Sequence, residues 1–97
     1  MATLSITVFE GAGEVATGDP LQVDTVTISG VSAQSSVITG SGRKRRRVRL
    51  CADTACHVVW GENPTADSGH TFMGAENPEY FDIESGHKVA VIARTLP

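Results

Sequence analysis

Short runs of alternating or β-branched residues recur along the whole chain, and no segment has the period of an amphipathic helix. Glycine, asparagine, aspartate and proline, the residues that favour turns, recur between these runs. The predicted strands cover residues 3–9, 23–28, 33–39, 46–51, 56–60, 70–73, 79–83 and 88–93. This pattern predicts an all-β fold, a small antiparallel β-sandwich or jelly roll of seven to eight short strands. A small closed barrel is the alternative.

Alternation within the runs indicates which side chains form the core. In the first run Leu4, Ile6 and Val8 share one side, as successive strand residues point to opposite faces. The unbroken apolar run at 89–92 predicts a strand buried on both faces. The length fits one β-domain over 1–97, with an extended N-terminal arm or strand at 1–10. We expect no membrane span and no secretory signal.

Positive charge is concentrated in one short segment. Six of the eight basic residues lie between positions 43 and 49: Arg43, Lys44, Arg45, Arg46, Arg47 and Arg49. Only Lys88 and Arg94 accompany the eleven carboxylates elsewhere. Crowding like charges on one strand gains nothing in folding, so the cluster predicts a contact surface. Its partner is an acidic protein, a nucleic acid or the chain's own acidic remainder.

Three interpretations of this basic segment compete. A non-specific nucleic-acid site would use phosphate contacts, but single-strand binders also need aromatic platforms. The segment has no aromatic residue, and strand parity turns Trp60 inward. Alternatively, the charges protect an edge strand from pairing with other chains. We favour a protein–protein contact.

The cysteines and histidines do not form a recognisable catalytic or metal-binding motif. Cys51 and Cys56 flank a predicted hairpin turn at Asp53-Thr54, and could lie opposite each other as reduced thiols or a disulfide. With His57, they lack the paired spacing of zinc modules. No phosphate-binding loop or nucleophile elbow is present. We therefore expect a non-enzymatic protein without a cofactor or metal.

Two proline-containing loops are candidate contact elements. Asn63-Pro64 and Asn77-Pro78 restrict the backbone and form stiff turns. The adjacent residues Tyr80 and Phe81 point to opposite sides of a strand, so one of them is expected to fill the core. The other is free to anchor a contact.

Four segments together resemble small structural proteins encoded by tailed phages and prophages. They are 47–61 (RVRLCADTACHVVWG), 63–66 (NPTA), 77–81 (NPEYF) and 86–92 (GHKVAVI). The opening 1–7 (MATLSIT) and the stretch 31–36 (VSAQSS) resemble these proteins more loosely. The resemblance covers most of the chain, and its motifs consist of turn and core residues.

The resemblance implies a virion component made in the cytoplasm of the host bacterium. Its most plausible role is a head decoration or cement protein that binds the major capsid protein as a homo-oligomer. In this role strand 2–9 would add to a neighbour's sheet edge, and the proline loops would set the docking geometry. Residues 43–49 would pair with capsid carboxylates or with acidic loops of an adjacent copy. The alternatives are a neck or tail component, or a nucleic-acid-binding module.

Overall fold

The computed structural model describes residues 2–9, 21–40 and 45–94 of the chain. These residues form eight β-strands and no helix. The strands are β1 Thr3–Phe9, β2 Gln22–Thr27, β3 Ala33–Gln34, β4 Arg45–Ala52, β5 Cys56–Gly61, β6 Thr71–Met73, β7 Glu79–Glu84 and β8 Lys88–Ala93. Within these ranges no helix has the length and apolarity that a membrane crossing requires.

The strands form two four-stranded antiparallel sheets. The first sheet has the order β2-β1-β4-β7, and the second has the order β3-β8-β5-β6. Strand pairs are nested: β5 pairs with β6, β4 with β7, β3 with β8 and β2 with β1, in alternating sheets. This nested order is the strand arrangement of a jelly roll, with β1 in the place of a strand after β8. The predicted β-sandwich is confirmed, and the closed barrel is wrong because the described strands form two separate sheets.

The core lies between the sheets and consists mainly of aliphatic side chains. Its buried members include Leu4, Ile6, Val8, Val26, Ile28, Ile38, Val48, Leu50, Ala52, Cys56, Val58, Met73, Ile83, Val89 and Val91. Each fully buried Val, Leu or Ile contributes about 1.5–3 kcal/mol from the hydrophobic effect. The parity predicted for β1 is confirmed, since Leu4, Ile6 and Val8 are all within 1% of complete burial.

The loop between β5 and β6 covers the outer side of the second sheet. Gln34 donates its Nε2 hydrogens to Asn63 Oδ1 at 2.9 Å and to the carbonyl of Pro64 at 2.7 Å. Further along, the amide of Ala66 donates to Ser32 Oγ at 2.8 Å. The outward-facing Ala90 of β8 is therefore fully buried, which confirms the predicted double-sided burial at this position.

The third strand is much shorter than the sequence predicts. Residues 33–39 were expected to be extended in a strand, but β3 contains only Ala33 and Gln34. Polar side chains of β2 that point inward accept hydrogen bonds from the backbone of the segment after β3. Asp24 accepts a hydrogen bond from the amide of Ser36 at 2.8 Å, and Gln22 accepts one from the amide of Thr39, also at 2.8 Å. These side-chain bonds replace ladder bonds between strands.

The turn at Asp53-Thr54 is not the predicted hairpin. β4 belongs to the first sheet and β5 to the second, so this turn crosses between the sheets. Asp53 fixes the turn by accepting a hydrogen bond from the amide of Thr3 at 2.9 Å. Cys51 and Cys56 consequently lie in different sheets, and both are free thiols. Cys56 instead lies opposite Met73 and Ala93.

β1 lies in the interior of the first sheet. It is paired with β2 on one side and with β4 on the other along nearly its full length. Addition of β1 to a neighbour's sheet edge would require both ladders to break. The expected role of this strand as an added strand is therefore wrong, because its backbone hydrogen-bonding groups are already used inside the sheet.

Gly40 provides a test of the packing at the end of the first sheet. Its φ is 137°, and a Cβ there would lie 2.7 Å from Ser85 Cβ and 2.9 Å from Arg46 Nη2. We expect Gly40→Ala to lower the free energy of unfolding by about 1–3 kcal/mol, measured by urea denaturation. Gly30→Ala is the control, because its Cβ would meet no atom within 4 Å. Equal effects of both substitutions would contradict this account.

Candidate binding surface

The arginines of β4 lie on an interior strand. β4 is paired with β1 and β7, so its charges do not protect a sheet edge. Val48 and Leu50 point into the core, as predicted, and Arg45, Arg47 and Arg49 point outward from the first sheet. The edge-strand explanation is therefore wrong. Arg43 and Lys44 lie outside the described residues.

Arg46 points away from the other three arginines. Its Nε donates to the carbonyl oxygen of Thr39 at 3.2 Å, at the end of the sandwich where Gly40 approaches its guanidinium. This arginine thus ties the segment after β3 to β4. Of the four described arginines in the basic segment, three share one face.

Arg47 contacts two side chains of the neighbouring strand β7. Its Nε lies 3.5 Å from Asp82 Oδ1, and its guanidinium carbon lies 6.0 Å from the centroid of the Tyr80 ring. The ion pair is partly exposed, so it adds at most about 1 kcal/mol to stability. The ring distance is at the outer limit of a cation–π contact. Both contacts hold the guanidinium at the surface.

Tyr80 supplies an aromatic ring beside the basic strand, a position that the sequence pattern alone does not indicate. It lies directly opposite Arg49 in the ladder between β4 and β7, and half of its surface is exposed. Its neighbour Phe81 packs against the core, with its ring centroid 4.7 Å from that of Trp60. This confirms that one of the two aromatics fills the core. That the other aromatic, Tyr80, lies beside Arg49 follows only from the register of β7 against β4.

The outward side chains of β1 and β2 extend this surface. Phe9 lies opposite Arg47, and Thr7 lies between Arg49 and Val23. Val23 is 67% exposed. We call this surface the arginine face; its members are Thr7, Phe9, Val23, Arg45, Arg47, Arg49 and Tyr80. It combines three arginines of one strand with aromatic rings and an exposed aliphatic side chain.

Crowding the three arginines has an electrostatic cost. Alternate residues of a strand are about 6.6 Å apart, so each adjacent pair of guanidinium groups repels by about 0.6 kcal/mol in water. Asp82 and Glu84, opposite Arg47 and Arg45 on β7, offset part of this repulsion. In the described part of the chain no ion pair engages Arg49. None of the described carboxylates therefore neutralises its positive charge.

The structure does not bring the two proline loops together. Asn63 and Pro64 lie against the outer side of the second sheet, where Pro64 is buried. Asn77 and Pro78 are exposed and lie at the other end of the sandwich, where the amide of Glu76 donates to the carbonyl of Ala52 at 2.7 Å. Asn63-Pro64 is also separated from the arginine face by the full thickness of the sandwich. The proline loops and the arginines thus do not form one continuous surface.

The remaining polar groups considered from the sequence are dispersed. Among the described residues, no group of three or more histidine, cysteine or acidic side chains could hold a metal ion. His57 Nδ1 lies 3.1 Å from the carbonyl oxygen of His70, and its ring packs edge-on against Phe72. Burial, with a smaller contribution from the Asp53 carboxylate, raises the pKa of the Cys56 thiol to about 11.

Comparisons with known proteins give no match. The chain matches no protein-family model, and searches of the curated proteins and of the solved structures find no similar protein.

The two thiols should differ in reactivity. Cys56 is fully buried and its raised pKa disfavours the thiolate, whereas Cys51 is partly exposed. At pH 8 we expect a disulfide reagent to modify one thiol in the folded protein and the second only after unfolding. Cys51→Ser should abolish the fast reaction, and Cys56→Ser should preserve it. Fast modification of both thiols in the folded protein would contradict the structure.

The Cys56 thiol should also make stability depend on pH. Its pKa rises from an unfolded value of 9.0 to about 11 in the folded protein, so the unfolded state releases this proton first. The contribution is fully present below pH 9.0 and is lost as the pH rises through about 11. Urea denaturation of the wild type and Cys56→Ala between these values should show a steeper loss in the wild type. Parallel slopes would contradict the pKa shift.

Proposed function

We propose that this chain is a non-enzymatic structural protein of a tailed-phage virion that binds an acidic surface of the major capsid protein through the arginine face. The observation that carries the proposal is the outward projection of Arg45, Arg47 and Arg49 from an interior strand. Because β4 is paired on both sides, the mutual repulsion of these arginines does not protect a sheet edge from other chains. A partner bearing carboxylates would relieve it.

The composition of the arginine face supports a protein partner. Arginine and tyrosine are enriched at protein interfaces, and lysine is depleted there. All three outward cations on β4 are arginines, and Tyr80 is half exposed beside them. A guanidinium group can bind a carboxylate through two parallel hydrogen bonds, which a lysine cannot do. Val23 adds exposed apolar area at the other side of the face.

Binding to the capsid would be enough for a stabilising role in a shell, without any catalysis. A protein that binds only the assembled capsid stabilises that state by mass action. If several copies associate into a homo-oligomer, each additional contact with neighbouring capsid subunits increases the avidity. A position in the neck or tail would use the same chemistry at a lower copy number. The ratio of this chain to the major capsid protein in purified particles, measured by quantitative mass spectrometry, distinguishes the two positions.

Arg49 is the sharpest test of the arginine face. We expect Arg49→Ser to weaken binding to capsids that lack this protein by about tenfold or more, because a central interface arginine commonly contributes over 1 kcal/mol. Binding is measured by co-sedimentation across a range of salt concentrations. Arg94→Ser is the matched control, since it removes the same charge from the end of β8 in the second sheet, where the Arg94 guanidinium lies 5.0 Å from the Phe72 ring centroid.

The possible results distinguish the arginine face from the virion role. Loss of binding with Arg49→Ser but not Arg94→Ser supports the arginine face. Equal binding by the wild type and the triple variant Arg45→Ser, Arg47→Ser, Arg49→Ser at low and high salt would overturn it. Absence of the protein from purified particles would overturn the virion role itself.

Single-stranded nucleic acid is a second candidate partner, favoured by one observation. Tyr80 supplies an exposed aromatic ring beside Arg47 and Arg49, which is the combination that single-strand binders use. The sequence alone offered no such ring. The overall excess of carboxylates opposes a polyanion, so this function ranks second.

Binding of a fluorescent oligothymidylate, followed by anisotropy, tests the second candidate. If Tyr80 stacks on a base, Tyr80→Ala should weaken binding by about fivefold to a hundredfold. The matched control is Phe72→Ala, which removes an equally exposed ring that also lies beside an arginine, on the second sheet. Three phosphate contacts predict a slope of about −2 for the logarithm of affinity against that of salt. No measurable binding at low salt would exclude this function.

A further inference from the structure

Trp60 lies at an open edge of the second sheet. β6 pairs with β5 only from Cys56 to Val58, so the edge of β5 beside Trp60 has no neighbouring strand among the described residues. The indole packs against Phe81 of the first sheet at a ring-centroid distance of 4.7 Å and an interplanar angle of 47°. Phe81 therefore fixes the position of the indole where the two sheets part.

Two cavities, both broadly open to solvent, have Trp60 in their lining. The larger has a volume of about 430 Å³ and is lined by Arg45, Trp60, Asp82, Glu84 and His87. The smaller has a volume of about 300 Å³ and is lined by Val58, Val59, Trp60, Gly69, His70 and Thr71. Both volumes fall within the range of small-molecule sites. Trp60 is the residue that the two linings share.

The larger cavity combines hydrogen-bond donors and acceptors around an aromatic surface. Asp82 and Glu84 supply carboxylate acceptors, and Arg45 supplies a fork of donors. His87 Nε2 lies 3.7 Å from Glu84 Oε2, and Asp82 is already paired with Arg47. The charges of the lining are thus largely balanced.

This combination points to a ligand class. A phosphate or carboxylate ligand would be repelled by Asp82 and Glu84, and a cationic ligand would have to compete with Arg47 for Asp82 and approach Arg45. A neutral ring with several hydroxyl groups would meet neither penalty. Its hydroxyls can donate to the carboxylates and accept from the guanidinium, and its C–H face can pack on the indole through dispersion.

We propose that the larger cavity binds a neutral sugar ring, with Trp60 as the stacking surface and Asp82, Glu84, Arg45 and His87 as its hydrogen-bonding groups. Because Trp60 also lines the smaller cavity, the expected ligand is a short oligosaccharide rather than a single ring. This site is distinct from capsid binding: it does not require a virion, and the arginine face does not require a sugar. Only Arg45 belongs to both.

Trp60 makes the proposal directly testable, because it is the chain's single tryptophan. The full chain is titrated with glucose, galactose and N-acetylglucosamine and with maltotriose, cellotriose and chitotriose, while the tryptophan emission is followed. We expect a saturable change with at least one saccharide, and tighter binding of the trisaccharide than of its monomer. The absence of a saturable change with all six would overturn the proposal.

A matched pair of carboxylate variants locates the binding. Glu84→Gln should weaken saccharide binding by about tenfold or more, as expected for loss of a hydrogen bond to a charged group. Glu76→Gln, a change of the same kind at the opposite end of the sandwich, should leave it unchanged. Equal binding by both variants and the wild type would overturn the assignment to this cavity.

Amide and indole N–H chemical shifts of the wild-type protein provide a measurement that does not depend on how a variant folds. With a binding saccharide, we expect the largest shifts at the Trp60 indole and at residues 82–87. The largest shifts at Thr7, Arg49 and Tyr80, or changes spread evenly over the chain, would overturn the proposal. Neither result would affect the capsid-binding proposal, which is tested with Arg49.

Discussion

The structure depends on the burial of aliphatic side chains between two β-sheets, since no helix covers either sheet in the part of the chain that is described. β1 and β4 form the centre of the first sheet, and their inward residues Leu4, Ile6, Val48 and Leu50 are all within 1% of complete burial. The chain has few aromatic residues, so most of the core's hydrophobic stabilisation comes from these branched side chains. Since parity is strict in a strand, burying Val48 and Leu50 forces Arg47 and Arg49 to the opposite side. The packing of β4 into the core therefore also places its arginines on the outer surface of the first sheet.

The two outer sides of the sandwich differ for a physical reason. The β5–β6 loop lies across the second sheet and is bound by Gln34 and Ser32, so its buried Pro64 and Ala66 act as extra core. The first sheet has no such cover in the described residues, and its outward arginines, Tyr80 and Val23 face solvent. The open edge beside Trp60 has a different cause: the β5–β6 ladder stops at Val58, two residues before Trp60. The molecule thus presents a charged face and a small polar cavity that can be tested independently.

The alternation of apolar and polar residues, together with the positions of turn-favouring residues, predicted much of this fold. The bounds of β1 and β8 were predicted to the residue, and the inward set of β4 was confirmed. The third strand was overestimated because the Gln22 and Asp24 side chains, which are far away in sequence, replace its ladder bonds. The hairpin between Cys51 and Cys56 was wrong because nothing local distinguishes a turn within a sheet from one that crosses between sheets. The spacing of residues along the chain likewise could not show that the two proline loops lie at opposite ends of the sandwich.

The sequence alone determined the fold class, the side of each main strand that is buried, and the concentration of positive charge on one strand. These properties follow from the period-two alternation and the composition of short segments, which depend only on neighbouring residues. The tertiary structure decided that β4 is interior, that Tyr80 stands beside Arg49, and that Trp60 meets Asp82, Glu84 and His87 around a cavity. Those relations depend on strand order and register, which are set by the packing of the whole core.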